Sequence, residues 1–558
     1  MTRPQSFGGL IFHLIIGLCM LVTGLWLIRQ YAEPFWGLVL ISIAAFFVFK
    51  KLLALLFHTQ RITRQIELQT EARKPSERFG KARFAGVNDS ILKQMAMERG
   101  LIIGALKGRV LFFDPFQSGY GHMLCYAPTR TGKTSSIIVP NLLNWSEGSL
   151  FITDMKGELA AITARTRQKM GSRVIILNPF NVLGLPSQNF NPLSILVEDL
   201  VHNYGRELSS LARLIAYQLL PEKRDESDGE FFRNGARREL IALMIFMAVF
   251  TPRTCHLPSL RKLVWKSREA KEIIAKKMIS VDYYRGVVRE YGQALFDMLD
   301  ADYIRTYGAF LDNARSAIDI YDASTGFGQS LMNNDCSLKD ALEHKTTIYC
   351  ILPENKAQTH GSWQGLITSL LFEILGESRN KMKFLIMLEE MGNIGKIHNL
   401  GKALSLLPGK GCRCLMVFQS RAQPELIYGR TMHRLIEEQS SCIQQWSIRN
   451  PEDQRRWSQR IGNITSKQRS LSRNHHNPIQ PWSMSVSERT MPLAPPEAIG
   501  RMDKDWQFID IDGEPVIIAR KAPYYEIWPL RARASPSPYH KGGYPKTSYL
   551  RYRLKRAA

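Results

Sequence analysis

The chain has 558 residues and a formal net charge of +24 at pH 7, and 45% of its residues are hydrophobic. This length and composition exclude an intrinsically disordered chain and leave room for two or three domains. The excess of Lys and Arg indicates an anionic partner (phospholipid, nucleic acid or an acidic protein), and a charge spread thinly for solubility is the alternative. Of the eight cysteines only Cys412 and Cys414 lie close together, so the sequence predicts neither disulfides nor a zinc site.

Two apolar runs near the amino end predict a membrane anchor. The first, at about 9–28, is long enough to cross a bilayer core, and the second, at about 34–57, follows a short polar break. Basic residues crowd behind the second run, whereas the connecting loop carries only Arg29 and Glu33, so the positive-inside rule places both termini and the main body in the cytoplasm. A cleaved signal peptide fits less well, because a second apolar run follows at once. We therefore expect residues 1–58 to form a two-helix transmembrane hairpin in a lipid bilayer.

Beyond about Gly100 the sequence has the pattern of an α/β protein. Apolar runs of strand length alternate with segments of helical period, which indicates a parallel sheet covered on both faces. The runs are HMLCY (122–126), SLFIT (149–153), RVIILNP (173–179), TTIYCILP (346–353), KFLIML (383–388), CLMVFQ (414–419) and CIQQWSI (442–448). Asp154, which follows the second run, either caps the helix that starts near Gly157 or contributes to a site at the strand ends. The segment 507–520 alternates around a DGEP turn and predicts an edge hairpin.

Two intervals depart from the α/β pattern. Residues 191–341 contain almost no strand-like runs and several helical ones, which predicts an all-α domain inserted between a first part of the α/β domain at 59–190 and a second part at 342–520. The last segment, 521–558, is rich in Pro, Ser and Tyr and has no acidic residue after Glu526. This composition predicts a basic flexible tail.

The stretch HMLCYAPTRTGKT (122–134) has the form of a phosphate-binding loop between a strand and a helix. Backbone N–H groups of such a loop point at phosphates, the side chain of Lys133 reaches the β- and γ-phosphates, and the hydroxyl of Thr134 binds Mg²⁺. Gly132 permits close approach of the phosphates, and Ala127, which replaces the usual first glycine, costs little unless its φ is positive. We predict that ATP is bound by Ala127, Thr129, Arg130, Thr131, Gly132, Lys133, Thr134 and Ser135.

A second strand supplies the acidic partner of this loop. KFLIMLEE (383–390) ends in two carboxylates, of which Glu390 is expected to polarise the attacking water and Glu389 to hold Mg²⁺ through water. A solvated helix start after a strand is the structural alternative. Gln419, at the end of a third strand, is expected to sense the γ-phosphate or orient water. The predicted catalytic residues are thus Glu390, Gln419 and Lys133, and the predicted metal ligands are Thr134 and Glu389.

Several motifs in a fixed order resemble the TraG/VirD-type coupling proteins of type IV secretion systems, from about residue 9 to 520. The motifs are GKARFAG (80–86), APTRTGKT (127–134), DMKGEL (154–159), NFNPL (189–193), LEEMGNIGKI (388–397), GKGCRCLMVFQSRAQPELIYG (409–429) and RWSQRIGNIT (456–465). The resemblance implies a RecA-like P-loop NTPase domain with an inserted all-α domain and an N-terminal two-helix transmembrane anchor. It also implies location in the bacterial inner membrane and assembly as a homo-hexamer. By position it places nucleotide and metal binding on residues 131–134, the Walker B pair on 389–390 and the glutamine of the third motif on Gln419.

The function that the resemblance implies is that of a coupling ATPase. Such proteins recruit relaxase-bound single-stranded DNA or effector proteins to the secretion channel and use ATP hydrolysis to support export, with adaptor proteins recognised at the all-α domain. The sequence leaves the cargo open. The tail interleaves Tyr539, Tyr544, Tyr549 and Tyr552 with basic residues, a pattern suited to nucleic acid, to anionic lipid or to other secretion components.

Three departures from the family pattern motivate an alternative, a membrane-anchored nucleotide-binding receptor with little or no hydrolysis. The family usually has Gly where this chain has Ala127, Asp where it has Glu389, and Arg where it has Lys410. An arginine supplied across a subunit interface stabilises charge on the γ-phosphate, and Arg413 and Arg421 are the candidates to replace it. A septal DNA-pumping relative is disfavoured by the KGEL and NPL motifs and by the large all-α insert.

Overall fold

The computed structural model describes residues 7–31, 34–46, 48–50, 77–86, 88–222, 227–300, 304–378, 382–473, 482–540, 544 and 550–554. They form two compact units, Met1–Lys81 with Asn463–Pro492, and Ala82–Gly462 with Leu493–Ala558. The strands are β1 (Leu101–Leu106), β2 (Arg109–Phe113), β3 (His122–Tyr126), β4 (Gly148–Asp154), β5 (Arg173–Leu177), β6 (Thr346–Ile351), β7 (Lys383–Leu388), β8 (Cys412–Phe418), β9 (Ser440–Trp446), β10 (Asn463–Arg473), β11 (Trp482–Pro492), β12 (Trp506–Ile511), β13 (Ile517–Arg520), β14 (Ile527–Trp528) and β15 (Tyr552–Arg553).

The smaller unit contains the helix Phe7–Tyr31, a helical stretch at 34–46 and the antiparallel hairpin of β10 and β11. The two helical stretches approach closely, since a Cβ on Gly37 would overlap the Ile28 side chain. Among the residues described, no helix is both long and apolar enough to cross a membrane, and part of the predicted span at about 34–57 lies outside them. The predicted two-helix anchor is therefore not shown.

The larger unit is built on one sheet of order β2-β1-β13-β12-β9-β3-β8-β7-β4-β6-β5. The strands from β9 to β5 in this order run parallel, and β12, β13, β1 and β2 continue the sheet with antiparallel pairing. Every residue of β3, β4, β6 and β8 is buried, because hydrophobic clusters cover both faces of the sheet. The predicted α/β fold with a large parallel sheet is confirmed.

The hairpin at 507–520 does not lie at an edge of the sheet, as the sequence pattern predicted. β12 and β13 pair with each other, but β9 flanks one side and β1 the other. The segment LIIGALKGRVLFF (101–113), far earlier in the chain, forms the β1–β2 hairpin, and β2 is the edge strand of the sheet at this side. An alternating pattern reports a hairpin, whereas the order of strands depends on pairing between residues far apart in sequence.

The helices of the larger unit fall into two groups by their place along the chain, those between β5 and β6 and those elsewhere. Between β5 and β6 the described regular elements are helical: Ser194–His202, Leu208–Leu219, Ser227–Phe250, Leu257–Val264, Arg268–Ile279, Val287–Met298, Ile304–Ile318, Gly326–Ser330 and Asp340–Glu343, with the 3₁₀ turns Val182–Gly184 and Pro252–Thr254. Elsewhere they are Ser90–Met95, Val139–Asn144, Glu158–Lys169, Glu354–Glu377, Leu400–Leu406, Ala422–Tyr428, Arg430–Glu438, Pro451–Ile461, Pro496–Gly500 and Leu530–Arg533. The helical interval belongs to the larger compact unit, and its predicted boundaries at 191 and 341 stay a prediction.

The carboxyl-terminal segment differs from the flexible tail that its composition predicted. Ile527, Leu530, Tyr552 and Leu554 are buried and belong to one of the clusters on the sheet, and β14 pairs with β15 in parallel. The physical reason is that a few apolar side chains anchor a segment whose average composition is polar and basic. The prediction of a flexible tail therefore fails where these side chains are buried in the core cluster.

Candidate nucleotide-binding site

The candidate site lies where four neighbouring parallel strands end. β3, β8, β7 and β4 are adjacent in that order, and their carboxyl ends meet at one edge of the sheet. The loop 127–133 follows β3, Gln419 follows β8, the pair at 389–390 follows β7, and Asp154 ends β4. In open parallel sheets ligands bind at this edge.

The loop after β3 is fixed at its start and bent at two positions. The N–H of Ala127 donates to the carbonyl of Phe418 at 2.9 Å, and the hydroxyl of Thr131 donates to the carbonyl of Pro128 at 2.6 Å. Positive φ occurs at Arg130 (60°) and Gly132 (86°), and Ala127 is not among the described residues with positive φ. The side chain of Ala127 is fully buried in a core cluster, so a methyl group is accommodated there without backbone strain.

The helix after the loop starts as a π-helical turn, Thr134–Ile138, and continues as the α-helix Val139–Asn144. Pro140 lies where the π-helical turn passes into the α-helical part, and it has no N–H to donate to a carbonyl of the preceding turn. The first N–H groups of any helix have no intrahelical acceptor and carry partial positive charge. Together with the loop they form a site suited to phosphate oxygens.

Two short contacts join the loop to the acidic pair after β7. Lys133 Nζ lies 3.1 Å from Glu390 Oε1, and the hydroxyl of Thr134 donates to Glu389 Oε1 at 2.7 Å. The side chains of Lys133 and Glu390 are only 6% and 15% exposed, so this pairing takes place largely out of water. The structure therefore brings together the residues to which the sequence assigned phosphate binding, water activation and metal binding.

Glu390 is held in a strained conformation. Its φ is +51°, in the left-handed region, and the Asn393 side chain donates to its Oε2 at 3.0 Å. Left-handed backbone at a residue other than glycine costs free energy and is enriched at functional sites. The contacts from Lys133 and Asn393 hold both carboxylate oxygens in place.

Burial dominates the electrostatics of the two neighbouring carboxylates. Desolvation, with the nearby charge of Asp154, raises the pKa of Glu389 to about 8, against the opposing hydrogen bond from Thr134. Burial also raises the pKa of Asp154 to about 6, although it accepts hydrogen bonds from the N–H groups of Lys156 and Ala160. Asp154 therefore caps the helix Glu158–Lys169, one of the two roles considered for it, and adds negative charge beside Glu389.

The oxygen ligands at this edge fit Mg²⁺. A hydroxyl and a carboxylate 2.7 Å apart are hard donors, and Mg²⁺ is commonly held by one or two such groups while phosphates and water complete its shell. Within the described part of the chain no group of three or more His, Cys, Asp or Glu side chains is arranged to hold a metal ion. The donors thus suit a metal shared with a phosphate rather than an all-protein cage.

A cavity of about 620 Å³ opens beside the loop. It is lined by Thr129, Arg130, Gly132, Lys133, Thr134, Ser135, Val139, Lys156, Glu158, Ile162, Glu354, Glu390, Tyr524, Tyr525 and His540. Of the predicted site residues, Ala127, Thr131, Glu389 and Gln419 do not line it. Gln419 is half-buried at the end of β8, and its N–H donates to Gln423 Oε1 at 2.7 Å. Sequence analysis missed the wall formed by Tyr524, Tyr525 and His540, because those residues lie in the segment predicted to be a flexible tail.

The three basic residues considered for an arginine supplied to a neighbouring subunit all have partners in their own chain. Lys410 Nζ donates to the carbonyl of Ser378 at 3.2 Å. Arg413 is buried and donates to the carbonyl of Pro115 at 2.6 Å. Arg421 pairs with two carboxylates, through Nε with Glu437 Oε1 at 3.0 Å and through a terminal nitrogen with Asp453 Oδ1 at 3.2 Å.

The chain is similar to coupling proteins of known secretion systems. It is 24% identical over 432 residues to the type IV secretion system-coupling protein VirD4 of Bartonella quintana (strain Toulouse), a match that covers 75% of this chain and 65% of that protein. It is 25% identical over 329 residues to the conjugal transfer protein TraG of Escherichia coli, covering 55% of this chain and 49% of that protein. The chain thus spans less than two thirds of the length of these relatives.

Solved structures share the fold. The bacterial conjugative coupling protein TrwBdeltaN70 superimposes with a TM-score of 0.57 at 13% identity, covering 80% of this chain and 95% of that chain. TrwB in complex with a non-hydrolysable ATP analogue, ADPNP, gives a TM-score of 0.56 at 13% identity, covering 81% and 95%. The model of the family described as type IV secretory system conjugative DNA transfer matches residues 63–544. The chain belongs to this family.

Proposed function

We propose that this protein is a coupling ATPase of a type IV secretion system, which recruits DNA–protein or effector-protein substrates to the secretion channel and uses ATP hydrolysis to support their export. The observation that carries the proposal is the pair of contacts Lys133–Glu390 and Thr134–Glu389, at 3.1 and 2.7 Å, at the start of a helix that borders a cavity. Family membership and the TrwB structures with ADPNP, and with ADP and Mg²⁺, support it.

The residues of the site divide the chemistry among them. Lys133 and the N–H groups of the loop bind the β- and γ-phosphates and stabilise the charge that develops on them. Glu390 takes the proton of the water that attacks the γ-phosphorus, while the bond to the bridging β–γ oxygen breaks. Gln419 orients that water. Thr134 and, through water, Glu389 would hold Mg²⁺, which neutralises phosphate charge when bound.

One observation favours a second candidate, a nucleotide-binding substrate receptor with little or no hydrolysis. Glu389 is a glutamate whose pKa burial raises to about 8, so it is mostly neutral near pH 7 and then binds a cation less strongly. Lys410, Arg413 and Arg421 are also engaged within the chain. Binding without turnover would be the signature of this candidate.

The same proposal includes the membrane anchor, the oligomeric state and the partners of the protein. The apolar runs at about 9–28 and 34–57 and the charge asymmetry around them support a two-pass anchor in the bacterial inner membrane, with both termini and the main body cytoplasmic. We further propose a homo-hexamer that contacts channel components, with adaptor proteins or cargo recognised at the helical interval 191–341. Cargo is relaxase-bound single-stranded DNA, effector protein or both.

Turnover of the purified full-length chain, with Mg²⁺ and with or without single-stranded DNA, tests the enzyme. Lys133→Ala is expected to abolish both nucleotide binding and phosphate release, whereas Lys504→Ala, a change at an exposed lysine, leaves both unchanged. ATP binding without phosphate release in the wild-type chain under all these conditions would contradict the ATPase and support the receptor. In cells, replacing the chain with Lys133→Ala is expected to stop conjugative transfer or effector export.

A further inference from the structure

The segment 521–540, which we call the strap, begins at the phosphate-binding loop. Lys521 Nζ donates to the carbonyl of Thr131 at 3.0 Å and lies 4.3 Å from the centroid of the Trp446 ring. Desolvation by burial is the largest influence on this ammonium group and lowers its pKa to about 8. The start of the strap is thus tied to the backbone of the loop itself.

The end of the strap lies along the helix Glu158–Lys169 in the opposite direction. Residue numbers on the strap rise while those of its partners fall, in four successive hydrogen bonds. These run from the Thr166 hydroxyl to the Arg533 carbonyl (2.5 Å), from the Ser535 N–H to the Ile162 carbonyl (2.9 Å), from the Ser537 hydroxyl to Glu158 Oε1 (2.9 Å), and from the Tyr539 hydroxyl to the Lys156 carbonyl (2.9 Å). The strap therefore connects the loop to the helix that contributes Glu158 and Ile162 to the cavity wall.

The strap presents aromatic side chains to the cavity, two of them between these attachments (Tyr524 and Tyr525) and one just after the second (His540). Tyr524, Tyr525 and His540 are the aromatic residues among those that line it, and the remaining wall away from the loop is formed by Val139, Ile162 and charged side chains. Tyr525 is half-buried, whereas Tyr524 is only 4% exposed and packs edge-on against it, with ring centroids 5.4 Å apart. The ring centroid of Tyr544 lies 6.1 Å from that of Tyr524 and 6.2 Å from that of Tyr525.

The positions of the charges decide which part of a nucleotide faces this wall. Lys133 and the helix start are the part of the lining suited to phosphates. The base has two flat faces of low polarity, which are stabilised by contact with an aromatic ring. The lining offers aromatic rings only on the strap, and the ring of Tyr525 packs against the buried ring of Tyr524.

We propose that Tyr525 is the residue on which the nucleotide base packs, with Tyr524 as its support, so that the strap completes the nucleotide site of its own chain. This inference rests on the proposed nucleotide site at Lys133. It assigns the base-binding surface to a segment outside the phosphate-binding loop and the acidic pair. It also explains why a segment of basic, Pro-rich composition is held by hydrogen bonds at both of its ends.

Calorimetric titration of the full-length chain with ATP and with inorganic tripolyphosphate, which has phosphates and no base, tests the proposal. Tyr525→Ala is expected to weaken ATP binding about tenfold or more, the order expected for one base–aromatic stack, and to leave tripolyphosphate binding within about twofold. Tyr525→Phe, which keeps the ring and loses the hydroxyl, should bind ATP within about twofold of the wild type. Tyr283→Ala, at a half-exposed tyrosine in the helical interval, is the matched control and should change neither affinity.

Three outcomes would overturn the assignment. The first is unchanged ATP affinity in Tyr525→Ala, and the second is an equal loss for ATP and tripolyphosphate, which would place the effect on the phosphate side. The third is wild-type ATP affinity in Tyr525→Leu, the variant to use if the alanine variant does not fold, because leucine keeps the bulk without the ring. A wild-type chain that binds neither ligand would instead contradict the proposed function itself.

Discussion

Two buried lysine–glutamate pairs in this chain look alike in distance and differ in setting. In the helical interval Lys271 Nζ lies 2.6 Å from Glu239 Oε1, with side chains 1% and 0% exposed, and the Tyr307 hydroxyl lies 3.0 Å from the same ammonium group. At the strand ends Lys133 and Glu390 lie 3.1 Å apart and line a cavity. The first pair is enclosed by helices, whereas the second faces a space large enough for a ligand.

The difference lies in what surrounds each pair. Burial lowers the pKa of Lys271 and raises that of Glu239, and each opposes the other's shift. At the strand ends a strained backbone at Glu390, a helix start and two further carboxylates accompany the pair. A buried ion pair alone therefore does not identify a functional site. Strain, a cavity and several groups of matching chemistry together make the strand ends the candidate site.

The largest expected effect is on turnover, at the pair that faces the cavity. Glu390→Gln keeps the shape of the side chain but removes the proton acceptor, so we expect phosphate release to fall by about 10²- to 10⁴-fold while ATP still binds. Steady-state turnover and equilibrium nucleotide binding measure the two effects. Glu497→Gln, at an exposed glutamate, is the control. Turnover within threefold of the wild type would show that Glu390 is not the base.

At the enclosed pair, Lys271 and Glu239, we expect a substitution to lower stability and to leave turnover unchanged. Lys271→Ala leaves Glu239 buried without its partner, and removing one member of a buried pair costs about 3–5 kcal/mol of unfolding free energy. Urea unfolding measures this loss, and turnover per folded molecule should stay unchanged. Lys266→Ala, at an exposed lysine on a neighbouring turn, should change neither quantity. A stable Lys271→Ala protein that has lost turnover would contradict the assignment of a purely structural role to this pair.

A smaller effect concerns pH. The folded chain keeps Glu389 protonated up to about pH 8, whereas an exposed glutamate releases its proton near pH 4.5, so the stability that this proton contributes is full at low pH and is lost as pH rises from about 5 to 8. Glu389→Gln stays neutral throughout. We therefore expect its unfolding free energy, measured without Mg²⁺ and nucleotide, to fall less steeply over this interval than that of the wild type. Parallel curves would show that Glu389 does not titrate in this range.

The smallest effect is expected at Ala127. Ala127→Gly restores the glycine usual at the start of such a loop, but it removes a buried methyl group and adds freedom to the unfolded chain, which together cost about 1 kcal/mol of stability. Because φ at Ala127 is not positive, we expect ATP affinity to change less than about threefold. Thermal unfolding and nucleotide titration of the same sample measure both. A large gain in affinity would show that the alanine impairs the loop.

Local patterns in the sequence carried much of the fold and of the site. The strands formed by HMLCY, KFLIML and CLMVFQ are nearly continuous apolar runs, because a parallel sheet is covered on both faces. This property can be recognised within a few residues of sequence. The loop ending in Lys133 and Thr134 and the acidic pair at 389–390 were readable for a similar reason. Phosphate and metal chemistry require particular residue types next to a strand end.

The features that depend on contacts between residues far apart in sequence were decided by the tertiary structure. It placed β1 and β2 outside the hairpin of β12 and β13, enclosed Arg413 against the carbonyl of Pro115, and set the pKa of Glu389 through burial beside Asp154. It also turned the segment 521–540 from an expected tail into a wall of the cavity, since a few apolar anchors and hydrogen bonds to the loop outweigh an average composition that is polar. Periodicity reports which face of an element is apolar, whereas the partner of that face is chosen by packing across hundreds of residues.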